Sequence, residues 1–392
     1  MEGNSLFLLK LGELSLKGGN KAYFERVLRQ NLAAMLRGSG AQINTASGRI
    51  YVKCRAQSES IVENVLKHLS GITGWSKARK VEKNIDAVLG AILAEAGECF
   101  NRGMRSFKIE ARRTDKSFPF DSYKICCMGG DAVKKYFPQF NIKLQKPDVT
   151  ISVEIRERAY IYGHVNQGLR GLPVGTAARG LLLLSGGIDS PVAGFMMSMR
   201  GMCLEAVYFH AYPYTSDEAR QKVVRLAGII GAYSMGVRLH TIQFTKVQQR
   251  IKESAPEDWS TVLLRMAMME CASYLAKMRR CKCLITGESL SQVASQTVEN
   301  INCSESKASY PVLRPLIGMD KESIIKTACA IGTYETSILP YQDCCVLFSP
   351  QHPVLHGDLK LASELYSSLA IHDLIKEAVA GRTVEKLGCP PE

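Results

Sequence analysis

The residues with the clearest chemical potential occupy positions 185–190, with the sequence SGGIDS, between four leucines and Pro191. Two glycines let the main chain approach a ligand closely and adopt positive φ. Ser185 and Ser190 can donate hydroxyl hydrogen bonds. A helix starting near Pro191 would present free N–H groups and the positive end of its dipole, which favours phosphate. The stretch therefore predicts a phosphate-binding turn rather than an ordinary Ser-Gly turn.

Asp189 is the unusual member of this turn, because a carboxylate in an anion site is costly unless it meets a metal or a cation. Mg²⁺ bound to ATP phosphates is a natural partner for it. The chain contains no GxxxxGK[ST] sequence, so this is not a Walker-type loop with its lysine. We therefore expect ATP and Mg²⁺, with attack at the α-phosphate and departure of pyrophosphate.

Cys344 and Cys345 form a second candidate site. They follow a loop-like run at 340–343 (PYQD), which could expose them. An exposed thiolate can carry a persulfide or resolve one by forming a disulfide. Two buried structural thiols are the alternative for this pair.

The other close cysteine pairs, Cys281 with Cys283 and Cys126 with Cys127, lack metal-ligand spacing, so we predict structural roles for them. The apolar run at the N-terminus is too short for a signal core, and no segment approaches 18 apolar residues. We therefore expect a cytoplasmic protein whose 13 cysteines are reduced.

The elements that would position these residues change character along the chain. The first part predicts two small α+β domains, at 1–59 and 60–165. A glycine-rich linker follows at 166–178. From 179 to 392 apolar strands alternate with helices, which predicts an α/β fold with a doubly wound parallel sheet. Ligands of such sheets bind at the carboxyl ends of the strands, where the SGGIDS turn would lie.

The charge of the chain is uneven. Residues 1–170 hold 28 Lys and Arg against 16 Asp and Glu, whereas the remaining residues hold 22 against 21. Solvated surface would explain a single lysine run, but an excess confined to one part of the chain favours a surface that faces phosphates. We therefore predict that the first part binds nucleic acid.

Five motifs together give the chain a family resemblance. They are GELSLKGGN at 12–20, GLPVG at 171–175, TGESL at 286–290, QVASQT at 292–297 and PYQDCC at 340–345. With SGGIDS, which looks like the pyrophosphate loop of PP-loop ATPases, they resemble the tRNA 4-thiouridine synthetases, also called thiamine-biosynthesis sulfurtransferases. The resemblance implies an N-terminal ferredoxin-like domain, an RNA-binding THUMP domain and a PP-loop domain, in the form without a rhodanese domain.

Carried over residue by residue, the resemblance implies catalytic roles for Cys344, with Cys345 as the fallback, and for Asp189. It also implies nucleotide contacts from Leu183, Leu184, Ser185, Gly186, Gly187, Ser190, Tyr208, Phe209, Arg265, Gly287 and Gln296. Several of these have structural alternatives. The two leucines and Phe209 would be core residues in any protein, and Gly287 could simply end a strand.

The function that the resemblance implies is ATP-dependent transfer of sulfur to a tRNA uridine at position eight, giving 4-thiouridine. The uracil would be adenylated first, and a cysteine desulfurase would supply the sulfur. A thiamine sulfur carrier protein is a further expected partner, and a homodimer would help one tRNA reach across two subunits. The alternatives are another PP-loop enzyme, such as a 2-thiouridine thiolase or an amide-forming synthetase, and a non-catalytic tRNA-binding protein.

Overall fold

The computed structural model of this chain describes residues 4–13, 18–46, 49–341 and 350–388. The chain divides into two compact units, Met1–Gly171 and Leu172–Glu392. None of the helices within the described ranges is both long and apolar enough to cross a lipid bilayer.

The first unit begins with an antiparallel sheet and two helices. These elements are β1 (Asn4–Leu11), α1 (Lys21–Met35), β2 (Gln42–Ala46), β3 (Arg49–Arg55), α2 (Glu59–His68), β4 (Ile72–Lys77) and β10 (Asn166–Gln167). The strand order is β10-β4-β1-β3-β2. Leu28 and Leu32, one turn apart on α1, and Val62 on α2 pack with Phe7 of β1 in one core. This is the expected ferredoxin-like arrangement.

The first sheet extends past the domain boundary predicted at residue 59. β4 pairs with β1, so α2 and β4 complete the first sheet instead of opening the next domain. The segment predicted to be a linker, 166–178, is not irregular throughout. Its first two residues form β10 and pair with β4. The division between the two compact units nevertheless falls inside that linker, after Gly171.

A second sheet completes the first unit. Its elements are β5 (Arg79–Val81), α3 (Ile85–Asn101), β6 (Ser106–Arg113), α4 (Ser122–Tyr136), β7 (Asn141–Ile142), β8 (Val149–Ile155) and β9 (Ala159–Tyr162). The order is β5-β9-β8-β6-β7. The apolar residues of β8 that alternate in the sequence are buried against α3 and α4, as the alternation predicts.

The opposite side of β8 is less exposed than the alternation suggests. Glu154 is buried there, accepting hydrogen bonds from Nη2 of Arg49 at 3.0 Å and from the hydroxyl of Tyr162 at 2.9 Å. Tyr51 of β3 stacks on Tyr160 of β9 with ring centroids 4.8 Å apart. These contacts join the two sheets of the first unit.

The second unit is built on a six-stranded sheet. Its strands are β11 (Arg179–Leu183), β12 (Cys203–His210), β13 (Val237–Gln243), β14 (Cys283–Ile285), β15 (Val312–Leu313) and β16 (Thr383–Leu387). The order is β15-β14-β11-β12-β13-β16, and all neighbours are parallel except β16, which runs antiparallel to β13. The predicted doubly wound parallel sheet is confirmed, with an antiparallel edge strand added.

Helices cover both faces of this sheet. They are α5 (Asp189–Met199), α6 (Asp217–Tyr233), α7 (Thr245–Ser254), α8 (Ser260–Arg279), α9 (Val298–Glu305), α10 (Lys321–Ile331), α11 (Tyr334–Ser337), α12 (Leu359–Ser368) and α13 (His372–Ala380). Val192 of α5 and Val223 of α6 pack on one face. Leu263 of α8 and Ile375 of α13 pack on the other.

Candidate functional site

The SGGIDS loop lies at the point where the strand order of the second unit reverses. The chain passes from β11 to β12 and β13 on one side, then crosses back to β14 on the other side of β11. In open α/β sheets, ligands bind outside the carboxyl ends of the strands at such a switch point. Residues 185–190 follow β11 and Gly287 closely follows β14, so both occupy this edge.

Hydrogen bonds within the loop hold its shape. The main-chain N–H of Ser185 donates to Oγ of Ser190 at 2.9 Å, and the two serine hydroxyls lie 3.0 Å apart. The N–H of Gly187 donates to Oγ of Ser185 at 3.4 Å. The helix α5 begins at Asp189, so the loop ends at a helix N-terminus, which favours an anion. The turn is therefore preorganised for phosphate.

Gly287 packs directly against this loop. A Cβ built on Gly287 would lie 2.6 Å from the main-chain nitrogen of Ser190 and 2.8 Å from the carbonyl carbon of Asp189. No side chain fits at that distance, so the glycine is required by the close approach of two main chains. The alternative that Gly287 only ends a strand does not account for this contact.

Asp189 is compensated by the chain itself. Its Oδ1 accepts a hydrogen bond from Nζ of Lys321 at 2.7 Å, and its Oδ2 accepts one from Nε2 of Gln292 at 2.9 Å. The cation that Asp189 needs is thus supplied by the first residue of α10. Among the described residues, no group of three or more His, Cys, Asp or Glu gathers to hold a metal ion.

Arg265 of α8 belongs to a buried ion network beside the loop. It donates to Oε1 of Glu288, whose Oε2 accepts from Nε of Arg314 at 2.7 Å and from the hydroxyl of Thr286 at 2.9 Å. Burial opposes ionisation of Glu288, but the guanidinium groups of Arg265 and Arg314 outweigh it and lower its pKa to about 2. Glu288 is therefore a fixed negative charge that orients Arg265 at the site edge.

The other residues predicted to contact the nucleotide differ in whether their side chains or only their main chains could reach a ligand. The side chains of Leu184 and Tyr208 are buried in the core facing α5 and α6, and Phe209 is buried in the opposite core, beside Leu183. A ligand at the strand ends would therefore meet the main chain of Leu184 and Tyr208. Gln296 contrasts with them, because its buried Oε1 accepts no hydrogen bond from any described residue. This amide suits a polar ligand group.

The whole chain matches one set of known proteins. The model of the thiamine biosynthesis protein (ThiI) family matches residues 175–371, the ThiI ferredoxin-like domain matches 6–76, and the THUMP domain matches 82–163. A "probable tRNA sulfurtransferase" of Treponema pallidum (strain Nichols) is 45% identical over 97% of this chain and 96% of its own. The chain belongs to the ThiI family.

Solved structures agree with this membership. A 4-thiouridine synthetase, solved as an RNA complex with bound ATP, superposes with a TM-score of 0.91 at 33% identity, covering 98% of this chain and 100% of that one. PH1313 from Pyrococcus horikoshii superposes with a TM-score of 0.66 at 25% identity, covering 84% of this chain and 99% of that one. The ferredoxin-like, THUMP and PP-loop domains of the ThiI family are thus all present.

Cys344, the cysteine predicted to carry sulfur, and its fallback Cys345 lie outside the described residues. The chain leading to them is described as far as Tyr341. Ser337, at the end of α11, donates from its hydroxyl to the carbonyl oxygen of Gly187 at 3.3 Å. The chain that leads to the two cysteines is therefore hydrogen-bonded to the SGGIDS loop at 185–190, the phosphate loop.

Three of the four cysteines predicted to be structural are consistent with that role. Cys281 and Cys283 are buried, and burial raises their pKa values to about 12 and about 11. Cys126 is half-buried, and burial raises its pKa as well. Because the thiolate is the nucleophile, these protonated thiols are poorly suited to sulfur transfer.

Basic residues on the first unit form a groove at the C-terminal end of α1. Arg26, Arg29 and Arg37 line this opening of 740 Å³ together with Gly38 and Gly40. All three arginines are exposed. By contrast, Arg49 and Arg156 pair with the buried Glu154. Some of the basic residues of the first unit are thus paired with a buried carboxylate, whereas the arginines of the groove face solvent.

Proposed function

We propose that this protein is a tRNA uracil 4-sulfurtransferase, which uses ATP to convert a tRNA uridine, at position eight, into 4-thiouridine. The observation that carries the proposal is the phosphate loop at 185–190, with Gly287 packed against it. It lies in a chain that matches, over nearly its whole length, a 4-thiouridine synthetase solved with RNA and ATP.

The first proposed step is adenylation of the uracil. O4 of the uracil attacks the α-phosphorus of ATP, the bond to the bridging oxygen breaks, pyrophosphate leaves, and the N3 proton passes to solvent. The loop and the N-terminus of α5 stabilise the departing negative charge. Lys321 keeps Asp189 from opposing that charge, since their side chains are paired at 2.7 Å. Mg²⁺ accompanies ATP in this proposal as a counter-ion of its phosphates.

The nucleotide pocket in this proposal combines main-chain and side-chain contacts. Leu183, Leu184, Tyr208 and Phe209 would border the adenine at the ends of β11 and β12. Gln296 would use its amide oxygen, which accepts no hydrogen bond within the described part of the chain, as an acceptor for the adenine amino group. Arg265, held by its ion pair with Glu288, would contribute positive charge beside the nucleotide.

The second proposed step delivers sulfur to C4. A cysteine desulfurase loads Cys344 as a persulfide. In one route the terminal sulfur attacks C4 and expels AMP, and a second thiol then attacks Sγ of Cys344, which breaks the S–S bond and frees the 4-thiouridine. In the other route the second thiol attacks Sγ of Cys344 first and releases hydrosulfide, which attacks C4 and expels AMP. Both routes leave Cys344 in a disulfide with the second thiol, for which Cys345 is the nearest candidate in sequence. Membership in the ThiI family also supports transfer of sulfur to a thiamine sulfur carrier protein. A homodimer remains part of the proposal.

The test is sulfur incorporation into tRNA. Wild type, Asp189→Ala and Cys344→Ala proteins are given tRNA, ATP, cysteine and a cysteine desulfurase, and the nucleosides are identified by mass and near-ultraviolet absorbance. We expect 4-thiouridine from wild type only, with Cys329→Ala, which removes an exposed cysteine on α10, as the matched control.

Four results would overturn the proposal. Formation of 4-thiouridine at the normal rate by Asp189→Ala would remove the adenylation step, and the same result for Cys344→Ala would remove the sulfur step. Formation of 2-thiouridine by wild type would point to the other class of PP-loop thiolase. Binding of tRNA without pyrophosphate release would indicate a non-catalytic tRNA-binding protein.

A further inference from the structure

Lys222 on α6 is a buried lysine that holds a stretch of irregular chain. Its side chain is only 6% exposed. Nζ donates to the carbonyl oxygen of Leu339 at 2.9 Å and to that of Tyr341 at 3.4 Å. Burying an ammonium group is costly, and lysine is rarely found buried. A lysine that nevertheless binds two carbonyls of the same short segment fixes the path of that segment.

The segment held by Lys222 connects the phosphate loop with the proposed sulfur carrier. At its start, the hydroxyl of Ser337 donates to the carbonyl oxygen of Gly187 at 3.3 Å. At its end, Tyr341 is held on α6, and Cys344 follows three residues later in the sequence. The chain that leads to Cys344 is thus attached once to the loop and once to α6.

We propose that Lys222 is a positioning residue for sulfur transfer, which holds the main chain at 339–341 so that Cys344 can serve the adenylate made at the phosphate loop. The inference rests on the function proposed above. Adenylation depends on residues 185–190, whereas delivery of sulfur depends on the chain that Lys222 anchors. Loss of Lys222 therefore slows the second step and spares the first.

The experiment compares two rates in the full chain. One is tRNA-dependent pyrophosphate release without a sulfur donor, and the other is formation of 4-thiouridine with cysteine and a cysteine desulfurase. In Lys222→Met, which keeps an unbranched apolar stem and loses the ammonium group, we expect thiolation to fall by about a hundredfold, the scale of a small misplacement of reacting groups. Pyrophosphate release stays within about twofold of wild type, because the phosphate loop is unchanged.

Two further variants give the comparison its specificity. Lys222→Arg keeps a cation with several N–H donors, so it regains a large part of the thiolation rate. Arg225→Met removes an exposed cation three residues later on the same helix, and both rates stay at the wild-type level. A role confined to general stability would not produce this difference between the two rates, nor the recovery with arginine.

Wild-type thiolation by Lys222→Met, or an equal loss of both rates, would overturn the inference. If Lys222→Met does not fold, Lys222→Gln, which stays polar but is uncharged and too short to reach both carbonyls, must show the same difference between the two rates. Cys344→Ala in the same assays separates the two proposals. If it still makes 4-thiouridine, the proposed function fails. If it is inactive while Lys222→Met is normal, only the role of Lys222 fails.

Discussion

At the scale of the residue, Gly287 controls how closely two main chains approach at the phosphate loop. In Gly287→Ala, the new methyl group would lie 2.6 Å from the nitrogen of Ser190, so the loop must move. We expect ATP affinity to fall by about tenfold or more, with a loss of ~1–3 kcal/mol in unfolding free energy from overpacking. Calorimetric titration with ATP and denaturant unfolding measure the two effects.

The matched control is Gly318→Ala, because a Cβ at Gly318 meets nothing within 4 Å. This variant should bind ATP as wild type does. Normal ATP binding by Gly287→Ala would show that the contact with Ser190 does not shape the site.

Glu288 makes the stability of the second unit depend on pH. Its folded pKa of about 2 lies below the ordinary glutamate pKa of 4.5, so its ionisation stabilises the fold above the unfolded pKa. That contribution, on the order of 3 kcal/mol, is lost as pH falls from about 4.5 toward 2. In Glu288→Gln we expect a stability deficit at pH 7 that shrinks below about pH 4.

Unfolding of the second unit can be followed by the fluorescence of Trp259 in a Trp75→Phe background, since the chain has two tryptophans. Glu322→Gln, at an exposed position on α10, is the control and should show no such deficit. A deficit for Glu288→Gln that stays constant with pH would contradict the assignment.

The residues around Asp189 show where sequence reasoning reached its limit. A carboxylate in an anion site needs a cation or a metal nearby, and within the described part of the chain Asp189 pairs with Lys321 and Gln292, which are 132 and 103 residues away. Such partners are brought together only by the topology of the sheet. Glu288 was visible within the TGESL motif, yet its role depends on arginines from two other elements.

At the scale of the element, two glycines of α6 should respond differently to substitution by alanine. A Cβ on Gly231 would lie 2.5 Å from the carbonyl oxygen of Leu387 in β16, whereas a Cβ on Gly228 meets nothing within 4 Å. Gly231→Ala should therefore displace the edge strand and cost ~1–3 kcal/mol. Gly228→Ala should be neutral or gain up to ~1 kcal/mol from helix propensity.

Thermal unfolding measures both glycine variants, and hydrogen exchange in β16 reports whether the strand is released. Equal stability of the two variants would mean that β16 does not depend on its contact with α6.

The elements also differ in how well the sequence predicts them. The central strands of the second unit are buried on both faces, so continuous apolar runs in the sequence predict them. The edge strand β16 has no such run, because residues such as Thr383 and Val384 are exposed. It is a strand because it pairs with β13. Membership of β4 and β10 in the first sheet likewise depends on pairing, of β4 with β1 and of β10 with β4, which the local sequence does not reveal.

At the scale of the whole molecule, the charge is concentrated in the first unit, so tRNA affinity should depend strongly on salt. For duplex nucleic acid, the slope of log affinity against log salt is about −0.9 per neutralised phosphate. In Arg26→Gln with Arg29→Gln, which removes two exposed cations of the α1 groove, we expect weaker binding and a slope shallower by about two.

Fluorescence anisotropy with labelled tRNA, between about 50 and 200 mM salt, measures the slope. Lys360→Gln, at an exposed position on α12 of the second unit, is the control. An unchanged slope in the arginine variant would place the RNA contacts elsewhere on the protein.

The pairing of β10 with β4 gives the first unit an unexpected chain order. The second sheet is formed by residues that leave the first sheet after Lys77 and return to it at Asn166, which pairs in register with Trp75. The second sheet is therefore inserted within the chain of the first sheet, rather than following it as a consecutive domain. A truncation placed between them would remove an edge strand from the ferredoxin-like part, whereas excising the insertion and joining its two adjacent ends would leave that part whole.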